Sequence, residues 1–283
     1  MSTVKFHFED NLDFQTEAIA AAVGLFKGQE QCRSEFTVIA PSKVQYELDF
    51  GVQHNKYSTL GVGNRLELLP EEIFDNLVEI QFRNCLPPAE KLENMNFTIE
   101  METGTGKTYV YLRTIFELNR QYGFTKFIIV VPSVAIKEGV YTTLRQTKEH
   151  FLSLYPGAAG YHYFLYDSAN IEEVRSFATS DKIEIMVITV GAINKADVNN
   201  IYEAQEKTSG EKPIDLIRAT RPVLIVDEPQ SVDGGIAGKG KSALDAMDPL
   251  CTLRYSATHV DKYHQIYRLD SIAAYEKQLV KQI

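Results

Sequence analysis

The 283-residue sequence predicts an α/β fold, a mostly parallel sheet covered by helices on both faces. Three observations carry that expectation. Apolar runs of strand length recur near 97–101, 126–131, 161–166, 184–190, 222–226 and 253–256. Stretches with helical spacing alternate with them, and alternation of strand and helix favours parallel pairing through right-handed crossovers. A hydrophobic content of 44% over this length is enough for one full core.

The first element is a helix from about Phe14 to Lys27, since Ala18, Ile19, Ala22, Val23 and Phe26 fall on one face. An insertion follows over 28–95, because Gln15 and Lys107 are 92 positions apart, more than one helix and a turn require. Within it, Val44, Tyr46, Leu48, Phe50 and Val52 alternate with polar or small residues, the period of a half-buried strand, and Phe36 to Ile39 is its expected partner across Pro41-Ser42. Pro70-Glu71-Glu72 opens a helix carrying Ile73, Leu77, Ile80 and Phe82, which stops before Pro87-Pro88. The insertion reads equally as a specificity appendage or as a packing elaboration. Beyond it come the strand Phe97 to Met101, a glycine-rich turn, and a helix whose apolar face is Tyr109, Leu112, Ile115, Phe116 and Leu118. Glu203 to Lys212, with Thr208-Ser209-Gly210, is expected as a surface loop between the later strands.

Chemistry concentrates in three motifs, and their order is informative. Strand, glycine-rich turn and helix around Glu102-Thr103-Gly104-Thr105-Gly106-Lys107-Thr108 make a phosphate cradle. Gly104, Thr105 and Gly106 can present consecutive backbone N–H groups to phosphate, Lys107 supplies a point charge, and Thr108 offers a hydroxyl to Mg²⁺. The strict pattern would place glycine where Met101 stands. The second motif is Asp227-Glu228-Pro229-Gln230, delivered by the apolar strand Pro222 to Val226 to the end of the sheet where open α/β sheets bind ligands. One acid, assigned to Asp227, holds the metal; the other, Glu228, orients and deprotonates the attacking water. Lys107, Asp227 and Glu228 are thus the candidate catalytic residues, Thr108 and Asp227 the candidate metal residues, and ATP with Mg²⁺ the expected cofactors. Tyr255-Ser256-Ala257-Thr258 is the third motif.

Together these motifs resemble a superfamily 2 helicase or translocase, and so imply a three-layer RecA-like P-loop domain. Met101 to Tyr111, Lys126-Phe127-Ile128-Ile129-Val130-Val131-Pro132-Ser133, Arg254-Tyr255-Ser256-Ala257-Thr258 and Tyr267-Arg268-Leu269 narrow the resemblance to the restriction (Res) subunit of type III restriction-modification enzymes. It runs from about Asn11 to the end and is least specific between Gly28 and Asn94. The resemblance implies that Gln15 reads adenine, an amide being able to donate and accept at the base edge; a polar residue merely opening its helix is the alternative. Gln15, Thr103, Gly104, Thr105, Gly106, Lys107 and Thr108 would then hold the nucleotide. Gln230, Ser256 and Thr258 resemble groups that couple the γ-phosphate to the nucleic-acid site. Ser133, Lys137 and Thr189, with Lys195, stand where such motors contact DNA phosphates, although each also fits a plain surface loop.

The implied activity is that of the ATP-binding lobe (motifs I, II and III) of an ATP-dependent DNA translocase and endonuclease acting on double-stranded DNA with a methyltransferase (Mod) subunit. The 25 residues after Thr258 are too few for a second lobe, and no nuclease signature is present, so residues 1–283 are expected to be a first lobe that lacks cleavage and efficient ATP turnover of its own. Two alternatives remain: the lobe of another superfamily 2 helicase, and a truncated non-catalytic nucleotide-binding or interaction module.

Composition sets limits on these readings. With 29 basic and 38 acidic residues the net charge is −9, opposite to that of a protein coating DNA through counterion release, so any DNA contact must be local. Cys32, Cys85 and Cys251 are spread without CxxC pairing and read as reduced, buried thiols; the six histidines lack zinc spacing. No signal-peptide core or run of about 18 apolar residues is present, which predicts a cytoplasmic protein without a membrane partner.

Overall fold

The computed structural model describes residues 9–39, 58–195, 197–204, 210–234 and 238–279. Its centre is a seven-stranded sheet of β3 (Asn96–Met101), β4 (Lys126–Val131), β5 (His162–Leu165), β6 (Glu184–Thr189), β7 (Val223–Asp227), β8 (Cys251–Ser256) and β9 (Gln265–Leu269), in the spatial order β5-β6-β4-β7-β8-β3-β9. Every pairing in it is parallel. The expected α/β, RecA-like three-layer arrangement is therefore present, with all carboxyl ends of the strands on one edge.

Alternation along the strands sorts the core into two layers. Phe97, Ile99 and Met101 of β3, Phe127, Ile129 and Val131 of β4, and Leu253 and Tyr255 of β8 pack against α1 (Asp13–Gly24), α2 (Pro70–Arg83) and α3 (Lys107–Tyr122). Ile128 and Val130 of β4 and Leu224 and Val226 of β7 point the other way, toward α6 (Glu172–Thr179) and α7 (Pro213–Thr220). On β3 and β8 this second face is polar: Thr98, Glu100, Thr252, Arg254 and Ser256 are all buried there. The α3 helix ends at Gly123, whose φ of 76° places it in the left-handed region that closes helices.

Among the described residues, the strand carrying Phe36 to Ile39 pairs with a segment later than the one expected. β1 (Arg33–Ile39) pairs antiparallel with β2 (Ser58–Asn64), in register from Arg33 opposite Asn64 to Ile39 opposite Ser58. The proposed strand from Val44 to Val52 lies outside the described residues, as does most of the polar loop between Glu203 and Lys212. Asn64 ties the small sheet to the large one. Its Nδ2 donates to the carbonyls of Lys126 (2.9 Å) and Arg221 (3.1 Å), while its Oδ1 accepts from the Thr125 and Lys126 N–H groups.

Other corrections are local. α2 begins at Pro70 and buries Ile73, Leu77 and Ile80, but Phe82 is exposed: the 3.6-residue period carries it off the apolar face. Three further helices on the sheet faces, α4 (Val134–Gln146), α6 and α7, and the edge strand β9 were not anticipated element by element. Of the cysteines only Cys251 is buried; Cys32 is half-buried and Cys85 exposed, all three free.

Candidate functional site

The strand register aligns the three motifs. Glu100 of β3 pairs with Ser256 of β8, and Tyr255 of β8 pairs with Asp227 of β7, so the three strands end at one level. Beyond β3 the chain turns through Gly104 (φ 82°) and Gly106 (φ 85°), a left-handed backbone that side chains with a Cβ adopt at a cost of about 1–2 kcal/mol. Thr105 fixes the turn, its N–H (3.3 Å) and hydroxyl (2.6 Å) both donating to the Glu102 carbonyl. Lys107 then opens α3.

Gln15, 90 residues earlier, reaches this turn. Its Nε2 donates to the Thr105 carbonyl at 3.0 Å, and a Cβ on Gly106 would come within 2.6 Å of that nitrogen. One N–H of the amide is thus used on the loop itself, and an amide has a second N–H and the Oε1 acceptor besides.

Lys107 and Glu228 form the central ion pair, Nζ to Oε1 at 3.3 Å, with side chains 12% and 29% exposed. Glu228 has φ 53° and leads into the single turn α8 (Pro229–Val232), while its N–H donates to the Tyr255 carbonyl. Its other oxygen, Oε2, accepts from the Ser256 hydroxyl at 2.6 Å and from Gln230 Nε2 at 2.7 Å. Partial burial pushes this carboxyl up, but the bonds from Ser256 and Gln230 and the Lys107 charge outweigh it and hold the group below its ordinary range. Asp227 goes the other way. Burial first, then the neighbouring Glu228 charge, push it up to about 6, against the opposing pull of Lys107. Two adjacent carboxyls are thereby separated: one charged through neutral pH, the other close to titration.

Tyr111 lies behind the pair, its fully buried hydroxyl donating to Asp227 Oδ2 at 3.5 Å and interacting with the Thr108 side chain. Thr108 and Asp227 therefore share a neighbour. As a donor set they offer hard oxygens and net negative charge, which suits Mg²⁺, a cation that keeps several waters and takes few protein ligands.

Not every candidate joins this centre. Thr103 is exposed, its N–H turned onto the Glu102 carboxylate at 2.7 Å. Thr258 is exposed, and its N–H donates to Ser256 Oγ. Ser133 caps α4 by accepting from the Ile136 N–H. Lys137 Nζ donates to the Tyr166 carbonyl at 3.4 Å. Lys137 and Thr189 line one cleft along the carboxyl ends of β5 and β6, together with Asn170 and the carboxylates of Asp167 and Glu173. Lys195 is exposed.

The matched family accounts for this assembly of motifs. Residues 66–261 match the family described as "Type III restriction enzyme, res subunit". The chain belongs to that family. It is 31% identical over 238 residues to the Res subunit of the type III restriction-modification enzyme EcoP15I of Escherichia coli, covering 77% of this chain and 24% of that protein. To the EcoPI Res subunit of Escherichia phage P1 it is 27% identical over 299 residues, covering 98% of this chain and 29% of that protein. The chain thus spans about a quarter of the length of these Res relatives. Among solved structures, the Type ISP restriction-modification enzyme LlaGI, a nuclease-deletion mutant in complex with a DNA substrate mimic, aligns with 12% identity and a TM-score of 0.40 over 73% of this chain and 20% of that one.

Two participants escaped sequence reasoning. Tyr111 follows the P-loop by one helical turn and was read only as part of the motif. Arg254 and Asp233 form a buried ion pair behind the site, Nη1 to Oδ1 at 3.0 Å and to Oδ2 at 2.8 Å. The signal was present in β8 and β3, where Thr252, Arg254 and Ser256 alternate with apolar residues, as do Asn96, Thr98 and Glu100.

Proposed function

We propose that this chain is the ATP-binding motor lobe of a Res subunit, with Mg²⁺ as cofactor and DNA as the substrate of the whole protein. The observation that carries the reading is the Lys107–Glu228 pair at 3.3 Å, which brings the phosphate-binding turn and the acidic motif to one point. Backbone N–H groups of 104–107 and Lys107 hold the phosphates. Gln15 Oε1 accepts from the exocyclic amine of adenine. Thr108 and Asp227 would hold Mg²⁺, which would supply charge neutralisation to the phosphates.

Glu228 orients the attacking water. The Ser256 and Gln230 bonds that keep it charged also make it a weak base, so its contribution is position and charge more than proton affinity. Water oxygen bonds to the γ-phosphorus as the bridging P–O bond breaks with its electron pair passing to ADP, and the water's protons leave on the inorganic phosphate and to solvent. Because Ser256 and Gln230 touch Glu228 directly, a change at the γ-phosphate is felt in β8, which supports their coupling role; Thr258, the third coupling candidate, reaches Glu228 only through its N–H on Ser256 Oγ.

As the matched relatives are restriction-modification Res subunits, the complete protein acts in this reading as an ATP-dependent DNA translocase and endonuclease in the cytoplasm, with a methyltransferase subunit as partner. Ser133, Lys137 and Thr189 are its candidate contacts to double-stranded DNA, and 28–95 is an insertion in the lobe. No described helix is long and apolar enough to cross a membrane. The test is titration of a fluorescent ATP analogue with and without Mg²⁺. Affinity that depends on Mg²⁺ and falls in Lys107→Ala supports the reading; binding indifferent to both overturns it.

A further inference from the structure

The buried polar face of β3 and β8 contains one element that the nucleotide chemistry does not use. Arg254 is 2% exposed, and its guanidinium has three partners. Nη1 donates to both carboxylate oxygens of Asp233; Nε donates to Asn96 Oδ1 at 2.9 Å; and the guanidinium carbon lies 4.6 Å from the centre of the Tyr263 ring. Each partner belongs to a different motif segment. Asp233 closes the single turn that follows Glu228 and Gln230, Asn96 begins the strand that leads into the P-loop, and Tyr263 is in the loop after Ser256-Ala257-Thr258.

The turn at α8 is tied to the sheet at its start by the Glu228 N–H on the Tyr255 carbonyl and within it by the buried Val232, while its end is held by Asp233. Glu228 enters it with φ 53°, and four residues of helix cannot hold an orientation through their own backbone bonds. At the same end of the turn, Gly240 abuts Val232 so closely that a Cβ there would come 1.8 Å from the Val232 carbonyl oxygen and 3.0 Å from the Asp233 carbonyl carbon. The end of α8 is therefore held by the close approach of Gly240 and by the Arg254–Asp233 pair. Arg254 stands on β8 two residues before Ser256, on the same face of the strand, so one strand carries both the group that anchors the turn and the group that bonds its glutamate.

Resting on the nucleotide reading above, we infer that Arg254 is a positioning residue, setting the Glu228–Gln230 turn against Ser256 through Asp233. A planar fork suits this task because it bonds a carboxylate and an amide oxygen while stacking on an aromatic ring, which an ammonium cannot do at once. Arg254 touches none of Lys107, Thr108 or Gln15, so nucleotide affinity is independent of it.

The experiment is steady-state ATP hydrolysis by the complete gene product that carries this chain, comparing Arg254→Lys, Asp233→Asn, Ser256→Ala and the double variant Arg254→Lys/Ser256→Ala. Arg254→Lys is expected to lower kcat by at least about fivefold with KM for ATP unchanged, and the same loss is expected of Asp233→Asn, which keeps the inference testable if the lysine variant does not fold. In the Ser256→Ala background the loss should vanish, since the bond being positioned is already gone. A folded Arg254→Lys or Asp233→Asn protein with kcat within fivefold of wild type overturns the inference, as does a loss that multiplies undiminished with that of Ser256→Ala. Turnover indifferent to Lys107→Ala would instead sink the nucleotide reading, and the inference with it.

Discussion

The Ser256 hydroxyl donates to Glu228 Oε2 at 2.6 Å, the shortest of the bonds that fix the glutamate facing Lys107. A single oxygen at the end of β8 thus helps set both the position and the charge of a residue at the end of β7. Hydrogen bonds to a charged group contribute about 1.5–3 kcal/mol. Ser256→Ala should therefore slow ATP turnover by about tenfold or more while leaving the affinity for Mg-ATP near wild type. Parallel measurement of hydrolysis and of analogue binding checks this; equal losses in both would place Ser256 in nucleotide binding instead.

Asp227, pushed up to about 6, gives a pH dependence with a definite sign. Its proton is held more tightly in the folded state than in the unfolded chain, where a free aspartate titrates near 3.9. The stability it contributes is present below the unfolded value and is lost as pH rises through about 6. Asp227→Asn should accordingly be more stable than wild type at pH 7.5, by on the order of 2 kcal/mol, and the advantage should vanish near pH 4. Urea unfolding at the two pH values tests it.

The same titration governs the metal. Mg²⁺ needs the carboxylate form, so Mg²⁺-dependent nucleotide affinity should fall as pH drops below about 6, with proton release on binding in that range. Calorimetry in two buffers of different ionisation enthalpy reads the released proton. A binding enthalpy that does not change with buffer at pH 6 would exclude Asp227 from the metal site.

Gly106→Ala combines two faults at one atom: a φ of 85° and a Cβ placed 2.6 Å from Gln15 Nε2. Left-handed backbone costs a residue with a Cβ about 1–2 kcal/mol, and the displaced glutamine loses its bond to Thr105 as well. Lower thermal stability and loss of ATP-analogue binding are expected together. A fully binding Gly106→Ala protein would mean that the turn adopts another shape with nucleotide.

Gln15→Ala separates base recognition from loop support. Its Nε2 holds the P-loop through Thr105, so both ATP and GTP should bind more weakly, and the remaining Oε1 contact should make the fall larger for ATP. Competition titrations with the two nucleotides measure the difference; equal losses would leave Gln15 with the structural task alone.

How far the sequence carried the fold depended on the kind of signal. β4 and β7 were legible because both of their faces are buried, which makes them continuous apolar runs. β9 was not, since Gln265 and Arg268 interrupt the run on an edge strand that is only partly covered. The strand at 36–39 was legible, but its pairing with β2 depended on residues 58–64, where two glycines and small polar residues leave no period to read.

For the site, residue types announced the P-loop and the acidic motif, because phosphate and metal chemistry requires glycine N–H groups, a lysine and carboxylates in a fixed local order. By itself the sequence determined the parallel α/β class, the glycine-rich turn and the acidic pair, all of which are legible from local residue patterns. Only the tertiary structure decided that Gln15 grips Thr105, that Ser256 rather than Thr258 bonds Glu228, that Asp227 and Glu228 titrate in opposite directions, and that Arg254 stands behind them. Those outcomes depend on strand register and burial, quantities that arise when segments tens of residues apart in the chain are brought within hydrogen-bonding distance.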